Sequence, residues 1–193
     1  MKELFIATNN PHKTEEIKEI LKSRNFNVDL LCPKDFNDRS EPVEDGNSYK
    51  ENAYIKAKYY YDKYHYPTLA DDSGISIRYL NYEPNIHSAR FLETDDYIEK
   101  NNKILDLMRG VKDRYAAFEC CLCFIDENKA HYFEGINEGE ISLEPKGDEG
   151  FGYDTIFLIP KYNKTEAELG NDYKNANSHR AKALRKWVEY LEK

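Results

Sequence analysis

The sequence predicts an α/β protein built on a mixed, twisted sheet. The first half of the chain alternates short apolar runs with segments of helical spacing, which is typical of parallel strands joined by helices. Later, two long strand-like runs, Tyr115–Ile125 and Ala130–Asn137, are separated by Asp126-Glu-Asn-Lys129, which predicts a hairpin. A sheet that starts with parallel strands and continues through a hairpin contains both strand directions.

The composition is that of an ordinary globular protein. The 193 residues are enough for one sizeable core or two small lobes, and 40% are hydrophobic and 33% charged. The net charge of −8 argues against a nucleic-acid-binding protein, although a local cluster of cations can still bind a phosphate-bearing small molecule. Since no apolar run approaches the roughly 20 residues that span a bilayer, and no signal-peptide core precedes Asn9, we expect a cytoplasmic protein without a membrane partner.

The four cysteines do not have the spacing of a metal site. Cys120, Cys121 and Cys123 lie together in an apolar run, and Cys32 is far from them. A zinc site needs paired Cys or His clusters at regular spacing, so we expect buried free thiols.

A first strand over Glu3–Thr8 is followed by a helix that ends near Arg24. Asn10 before Pro11 is a typical N-cap with proline in the first turn. A second strand is expected over Asn27–Cys32. The apolar residues that the first helix buries are Ile17, Ile20 and Leu21.

Thr8, Asn9 and Lys13 lie at the junction between this strand and helix. Free backbone N–H groups and the positive end of the helix dipole attract phosphate at such a place. The alternative is a capped helix with one solvated lysine, and no Walker motif decides between the two.

Ser48-Tyr-Lys-Glu51 has the spacing of a capping box and opens a long helix that ends near Tyr64. Asn52 and Lys56 lie four residues apart on it and therefore share a face. That face looks either into a cleft or into water.

Leu69-Ala-Asp-Asp-Ser-Gly-Ile-Ser-Ile77 reads as a buried strand that ends in two carboxylates and a loop. Ligands of α/β proteins usually bind at strand ends, so Asp71 and Asp72 are candidate site residues. Because adjacent side chains of an extended chain point to opposite faces, only one carboxylate should face a given pocket. The alternative is a plain turn, since Asp-Asp-Ser-Gly is good turn chemistry.

A turn-rich link over Asn81–Asn85 leads to Ser88-Ala-Arg90. Thr94 or Asp95 can then cap a helix that ends near Met108.

Gly147–Asp154 is a glycine-rich segment around Phe151. Glycines let the backbone approach a ligand closely, an exposed ring can stack on a nucleobase, and Asp154 can accept hydrogen bonds from ring N–H groups. The alternative is an ordinary turn with Phe151 in the core.

A terminal helix is expected from Ser178 to about Leu191. Ser178 is a candidate N-cap, and His179, Arg180 and Lys182 then lie in the first turn. Positive residues there oppose the helix dipole, which favours a bound anion over a solvated helix start.

Six short motifs follow one another along nearly the whole chain. They are Thr8-x-Asn10-x-x-Lys13, Glu51-Asn52-Ala53, Asp71-Asp72-Ser73-Gly74, Ser88-Ala89-Arg90, Gly150-Phe151-Gly152-Tyr153-Asp154 and Ser178-His179-Arg180. Each motif alone is weak, but six in one order are specific. Together they resemble the inosine triphosphate pyrophosphatase family, which hydrolyses non-standard purine nucleoside triphosphates.

The resemblance implies a single pyrophosphatase domain over residues 1–193, elongated and two-lobed with a central cleft, which forms a homodimer and requires Mg²⁺. It implies cleavage of ITP, dITP or XTP between the α and β phosphorus atoms, giving the monophosphate and pyrophosphate. By the same resemblance, Asp72 is the catalytic, proton-accepting and metal-binding carboxylate. The implied substrate-binding residues are Thr8, Asn9, Asn10, Lys13, Ser73, Phe151, Gly152, Tyr153, Asp154, Lys174, His179 and Arg180.

The sequence departs from the family at three places. The family commonly has a Glu-Glu pair where this chain has Val43-Glu44, so either Glu44 or Glu41 supplies the second metal carboxylate, or that carboxylate is missing. Asn85 replaces a glycine and Thr155 a proline, which bears on loop geometry more than on the reaction.

Two other functions stay open at this point. One is a related pyrophosphatase with another base preference. The other is a nucleotide-binding module without catalysis, which the presence of Val43 suggests.

Overall fold

A computed structural model describes residues 2–193, and this part of the chain forms seven strands and five α-helices. The predicted α/β class is therefore confirmed. The strands are β1 (Glu3–Ile6), β2 (Asp29–Leu31), β3 (Thr68–Ile77), β4 (Tyr115–Asp126), β5 (Lys129–Ile141), β6 (Phe157–Ile159) and β7 (Lys164–Thr165). The helices are α1 (Pro11–Ser23), α2 (Tyr49–Tyr64), α3 (Tyr97–Leu107), α4 (Glu166–Asn177) and α5 (His179–Leu191).

The strands follow the order β2-β1-β3-β4-β5-β6-β7. β1 is parallel to both β2 and β3, whereas β6 is antiparallel to β5 and β7. Glu127 and Asn128 join the neighbours β4 and β5, and both have the positive φ that a two-residue hairpin turn of type I′ requires. The predicted mixed sheet and hairpin are thus confirmed.

The described residues group into two compact units. The first contains the described residues up to Asp72 together with Cys120–Gly135 and Arg180–Lys193. Side chains alternate along β1, so Leu4 and Ile6 pack in one cluster with α1 and α5, and Phe5 packs in another with α2. The helix residues of these two clusters are Ile17, Ile20, Leu21, Leu184 and Trp187 on one side and Ala53, Ala57 and Tyr60 on the other.

The second unit contains residues 73–119 and 136–179. Its core is formed around Ile104 of α3, Phe118 of β4 and Phe157 of β6. Arg114 precedes β4 and donates hydrogen bonds to the carbonyl oxygens of Met108, Val111, Ile141 and Ser142. These bonds satisfy carbonyl groups where α3 ends and where β5 ends.

The cysteines are free thiols, as predicted. Cys120, Cys121 and Cys123 are buried in β4, whereas Cys32 is half-buried. Burial raises the pKa of the Cys121 and Cys123 thiols to about 12, because the thiolate loses its hydration.

The predicted turn after Asp72 is wrong, because β3 continues without a break from Thr68 to Ile77. Buried charge partners and strand pairing override the turn preference of Asp-Asp-Ser-Gly. The predicted cap of α3 is also wrong, since Asp96 is the N-cap and its side chain accepts from the Ile98 N–H.

Helix α4 was not predicted. Its first turn has a capping box in which Thr165 Oγ1 accepts the Glu168 N–H and the Glu168 carboxylate accepts the Thr165 N–H. The Thr-x-x-Glu spacing could have identified it. Across residues 2–193, no helix is long and apolar enough to cross a membrane.

Candidate active site

Strand β3 carries the two adjacent carboxylates of the first unit to opposite faces of the sheet. Leu69 lies in the cluster with α1 and α5, and Ala70 lies in the cluster with α2. Because strand side chains alternate, Asp71 continues the side of Leu69 and Asp72 the side of Ala70. Both carboxylates are buried, with relative exposures of 4% and 6%.

Asp71 lies between two cations. Its Oδ1 is 3.0 Å from Lys13 Nζ of α1, and its Oδ2 accepts from Arg180 Nη2 of α5 at 2.9 Å. Arg180 is itself buried and its Nη1 lies 3.0 Å from Glu16 Oε2. Burial raises the pKa of a carboxyl group, but the charges of Lys13 and Arg180 outweigh it and hold the pKa of Asp71 well below its usual range.

Asp72 faces Lys56 of α2. Lys56 Nζ donates to Asp72 Oδ1 at 2.9 Å and lies 3.4 Å from Glu44 Oε1. Burial raises the pKa of Asp72, and the attraction of Lys56 and Lys13 offsets that rise only in part. Burial lowers the pKa of the Lys56 ammonium, but Asp72 and Glu44 outweigh it and the pKa is raised.

The other oxygen of this carboxylate has no hydrogen-bond partner. Among residues 2–193, no group donates to Asp72 Oδ2, although the atom is buried. A buried carboxylate oxygen is normally satisfied, so this atom can accept from a ligand. Asp72, Glu44 and Lys56 together also carry one net negative charge.

These features fit a divalent cation. Within residues 2–193, no group of three or more His, Cys, Asp or Glu side chains is arranged to hold a metal ion. Mg²⁺ does not need such a cage, because it is usually held by one or two carboxylates, waters and substrate phosphates. Asp72 with its unsatisfied Oδ2 and neighbouring Glu44 is the donor set that could hold it.

Glu41 and Glu44 have different partners. Asn9 Nδ2 donates to Glu41 Oε1 at 3.0 Å, whereas Glu44 shares Lys56 with Asp72. Of the two carboxylates left open by the sequence, Glu44 is therefore the one that lies beside Asp72.

The start of α1 is capped as the sequence predicts. Asn10 Oδ1 accepts from the N–H groups of His12 and Lys13, and Thr8 Oγ1 accepts from the Asn10 N–H at 3.1 Å. The Asn10 side chain thus stabilises the helix start. Lys13 extends from this cap toward Asp71 and keeps 17% of its side chain exposed.

In the second unit, Phe151 lies beside a buried ion pair. Lys174 Nζ donates to Asp154 Oδ2 at 2.7 Å and lies 4.5 Å from the centre of the Phe151 ring. The same Asp154 oxygen accepts from the Phe151 N–H at 2.8 Å. Gly150 has a φ of +79°, and a Cβ there would lie 2.2 Å from Asp154 Oδ2, so only glycine fits this turn.

The other predicted residues of this unit have well-defined contacts. Tyr153 is buried and donates to the Ser88 carbonyl at 2.6 Å, which joins the glycine-rich segment to the Ser88-Ala-Arg90 segment. The Gly152 carbonyl accepts from Asn101 Nδ2. His179 stacks on Phe118 with ring centres 4.8 Å apart. Ser73 is half-buried and follows Asp72 in β3.

Two charged residues of the candidate site were not identified from the sequence. The sequence did not decide whether Lys56 faces a cleft or water. In the structure Lys56 is buried and paired with Asp72 and Glu44. Its spacing from Ala53, Ala57 and Tyr60 on one helix face was the available signal. Glu16, the partner of Arg180, had no distinguishing signal because most helix glutamates are solvated.

Comparisons with known proteins identify the family to which the chain is similar. The family model described as the Ham1 family matches residues 4–190. A dITP/XTP pyrophosphatase from Treponema denticola is 41% identical over 186 residues, covering 94% of each chain. The dITP/XTP pyrophosphatase of Bacillus subtilis is 41% identical over 196 residues, covering 100% of this chain and 98% of its own. A HAM1 protein structure from Coxiella burnetii has a TM-score of 0.89 at 34% identity, covering 100% and 99% of the two chains.

Proposed function

Because this chain belongs to the Ham1 family, we propose that it is a nucleoside triphosphate pyrophosphatase that hydrolyses ITP, dITP and XTP. The family membership confirms the resemblance noted in the sequence. The products are the nucleoside monophosphate and pyrophosphate, so the proposed role is removal of non-standard purine nucleotides.

One observation carries the proposal. Asp72 combines a buried, unsatisfied oxygen with two neighbours, Glu44 and Lys56, while Asp71 next to it holds Lys13. Hydrolysis of a triphosphate needs a carboxylate that accepts a proton and cations that face phosphate oxygens. The first unit provides both kinds of group, because Lys13 of α1 and Lys56 of α2 pair with the adjacent carboxylates Asp71 and Asp72 of β3.

The proposed step is attack of water on the α phosphorus. A bond forms from the water oxygen to this phosphorus, the bond to the bridging oxygen of the β phosphate breaks, and pyrophosphate leaves. Asp72 accepts the proton of the water, and its raised pKa makes it a better base than an ordinary aspartate. Lys13 and Lys56 stabilise the charge that develops on the phosphate oxygens.

We further propose that the cofactor is Mg²⁺, held by Asp72 and Glu44. When bound, this ion neutralises phosphate charge and makes the attacking water more acidic. The phosphate-binding roles of Thr8, Asn9 and Asn10 belong to the same proposal, because these residues lie at the N-terminal end of α1, where the helix dipole attracts an anion.

For the second unit we propose base recognition. Phe151 offers a ring for stacking, and the Lys174–Asp154 pair fixes the polar groups beside it. Selection of a 6-oxo purine needs donors aimed at that oxygen, which the amino group of adenine would leave unpaired. His179 is the candidate donor of this unit, and Gly152, Tyr153 and Ser73 are proposed to shape this binding. Arg180, the other candidate donor, belongs to the first unit, where it pairs with Asp71 and Glu16.

We also propose that residues 1–193 act as one domain, form a homodimer in the cytoplasm and bind neither nucleic acid nor membranes.

A panel of triphosphates with Mg²⁺, assayed for pyrophosphate release, tests the activity. We expect ITP, dITP and XTP to be hydrolysed at least 100-fold more efficiently than ATP, because adenine leaves the donors unpaired. The variant Asp72→Asn should lose more than 100-fold in kcat while its circular dichroism and melting temperature remain those of a folded protein.

Other results would contradict the proposal. Equal turnover of ATP and ITP would indicate a different base preference. Binding of ITP without turnover would indicate a non-catalytic module, although the position of Glu44 beside Asp72 argues against a lost metal site. Wild-type rates in Asp72→Asn would remove this carboxylate from the mechanism.

A further inference from the structure

Asn52 is a fully buried amide in the first turns of α2, with a relative exposure of 0%. It lies four residues before Lys56, so the two side chains share one face of the helix. Its Oδ1 accepts from the Gly46 N–H at 2.9 Å. Among residues 2–193, its Nδ2 has no hydrogen-bond partner.

The segment before α2 is held at its end by this contact. Residues 41–46 form neither helix nor strand, so their position depends on individual bonds. Gly46 is bound by Asn52, and the Asn47 N–H is bound by Glu51 Oε2 at 2.6 Å. A Cβ on Gly46 would lie 2.7 Å from both Asn52 Oδ1 and Glu51 Cβ, so the backbone contacts the helix directly.

Glu44 is two residues from Gly46. Since consecutive Cα atoms are 3.8 Å apart, a fixed Gly46 confines Glu44 to a short reach from α2. Within that reach Glu44 meets Lys56, which also binds Asp72. The bond from Gly46 to Asn52 therefore sets where the second carboxylate lies relative to the first.

We propose that Asn52 is a positioning residue, which holds Gly46 so that Glu44 stands beside Asp72 for binding a divalent cation. The inference rests on the proposed function, because it assumes that this pair of carboxylates binds the cation. Asn52 touches neither carboxylate and acts through the backbone of the segment. Outer residues that orient metal ligands typically change metal affinity 10–100-fold when removed.

Binding of Mn²⁺ to the nucleotide-free protein, measured from the EPR signal of free Mn²⁺, tests this directly. Asn52→Ala should weaken Mn²⁺ binding 10–100-fold, because Gly46 loses its acceptor. Gly46→Ala should weaken it similarly, since the new methyl group pushes the segment off α2 while Asn52 remains. The matched control is Asn47→Ala, whose exposed side chain lies beside Gly46 and should leave binding within twofold of wild type.

Hydrolysis of dITP gives a second readout. We expect the Mg²⁺ concentration for half-maximal rate to rise by the same factor as the Mn²⁺ dissociation constant, with kcat largely restored at saturating Mg²⁺. A purely structural role would lower the melting temperature without this shift in metal dependence. If Asn52→Ala does not fold, the Mn²⁺ affinity of Gly46→Ala tests the positioning role, because this substitution leaves the buried side chains of α2 unchanged.

The possible outcomes separate the two proposals. Unchanged Mn²⁺ affinity in both variants, or no Mn²⁺ binding by the wild-type protein, overturns the positioning role. A wild-type protein that binds Mn²⁺ and hydrolyses no triphosphate overturns the proposed function alone, since the affinity difference between variants is measured without nucleotide.

Discussion

Asp71 and Asp72 are adjacent in the sequence, yet their carboxyl pKa values shift in opposite directions. Strand alternation gives them different neighbours. Asp71 is between Lys13 and Arg180, whereas Asp72 is buried with one lysine and a second carboxylate, Glu44. We therefore expect the two carboxylates to have different roles. Asp71 stays ionised and orients Lys13, whereas Asp72 can exchange a proton.

The pH dependence of hydrolysis should report Asp72. Activity needs its carboxylate form, and because the pKa is raised, activity is lost as pH falls through a value above the 3.8 of an ordinary aspartate. Below that pKa the rate should fall about tenfold per pH unit. Lys56 lowers the pKa of Asp72, so Lys56→Gln should move the acid limb of kcat/KM to higher pH.

A rate profile over pH 4–9 for both proteins checks this sign. If the acid limb of kcat/KM moves to lower pH in Lys56→Gln, the limb does not report the titration of Asp72. The control is Lys58→Gln, since Lys58 is on the same helix but is exposed and pairs with Asp62.

Phe151→Ala tests the proposed stacking. Loss of the ring should weaken binding of every purine triphosphate alike by about 1–3 kcal/mol, or about 5–150-fold, because stacking does not depend on ring substituents. Competition binding with ITP, XTP and GTP measures it. A loss confined to inosine nucleotides would show instead that Phe151 takes part in base selection. Tyr79→Ala, an exposed aromatic outside the proposed site, is the control.

At the scale of elements, helices α1 and α5 are joined through a buried ion pair between Glu16 and Arg180. Breaking a buried pair leaves an uncompensated charge, which typically costs about 3–5 kcal/mol. Glu16→Gln keeps some hydrogen-bonding capacity, so we expect a loss of about 2–3 kcal/mol in the free energy of unfolding.

Urea denaturation of Glu16→Gln and of Asp62→Asn measures this difference. The pair of Asp62 with Lys58 is exposed and spaced i,i+4, so its loss should cost less than about 0.5 kcal/mol. Equal effects of the two substitutions would contradict the importance of burial.

Elements with local signals were predictable, and those set by distant partners were not. The cap at Asn10 and the hairpin after Asp126 follow from neighbouring residues, and both are confirmed. The continuation of β3 through Asp71 and Asp72 depends on partners such as Arg180, which is 109 residues away. For Lys56 the helical spacing could have indicated a buried face, but its partner Asp72 is set by the fold and has no local signal.

At the scale of the whole molecule, the order of motifs identified the family when no single motif could. The family model covers residues 4–190, which agrees with the extent of the six motifs. Metal number and base preference depend on contacts between residues far apart in the chain, so the order of motifs does not determine them.

The proposed homodimer is tested by light scattering after size-exclusion chromatography. The chain has a mass of 22.7 kDa, so a dimer should elute with about twice that mass. A protein that keeps the mass of one chain at micromolar concentration would exclude a stable dimer.

The buried thiols of β4 offer a built-in reporter. With pKa values raised to about 12, Cys121 and Cys123 hold almost no thiolate at neutral pH, and burial also raises the pKa of the Cys120 thiol well above its usual value. Iodoacetamide should therefore modify these three only in molecules that have opened. Cys32 should be alkylated in the native state because it is partly exposed, although slowly, since burial and Asp35 raise its pKa as well. Mass spectrometry of timed alkylation would then read the opening rate of the central strand directly, without a dye or an engineered label.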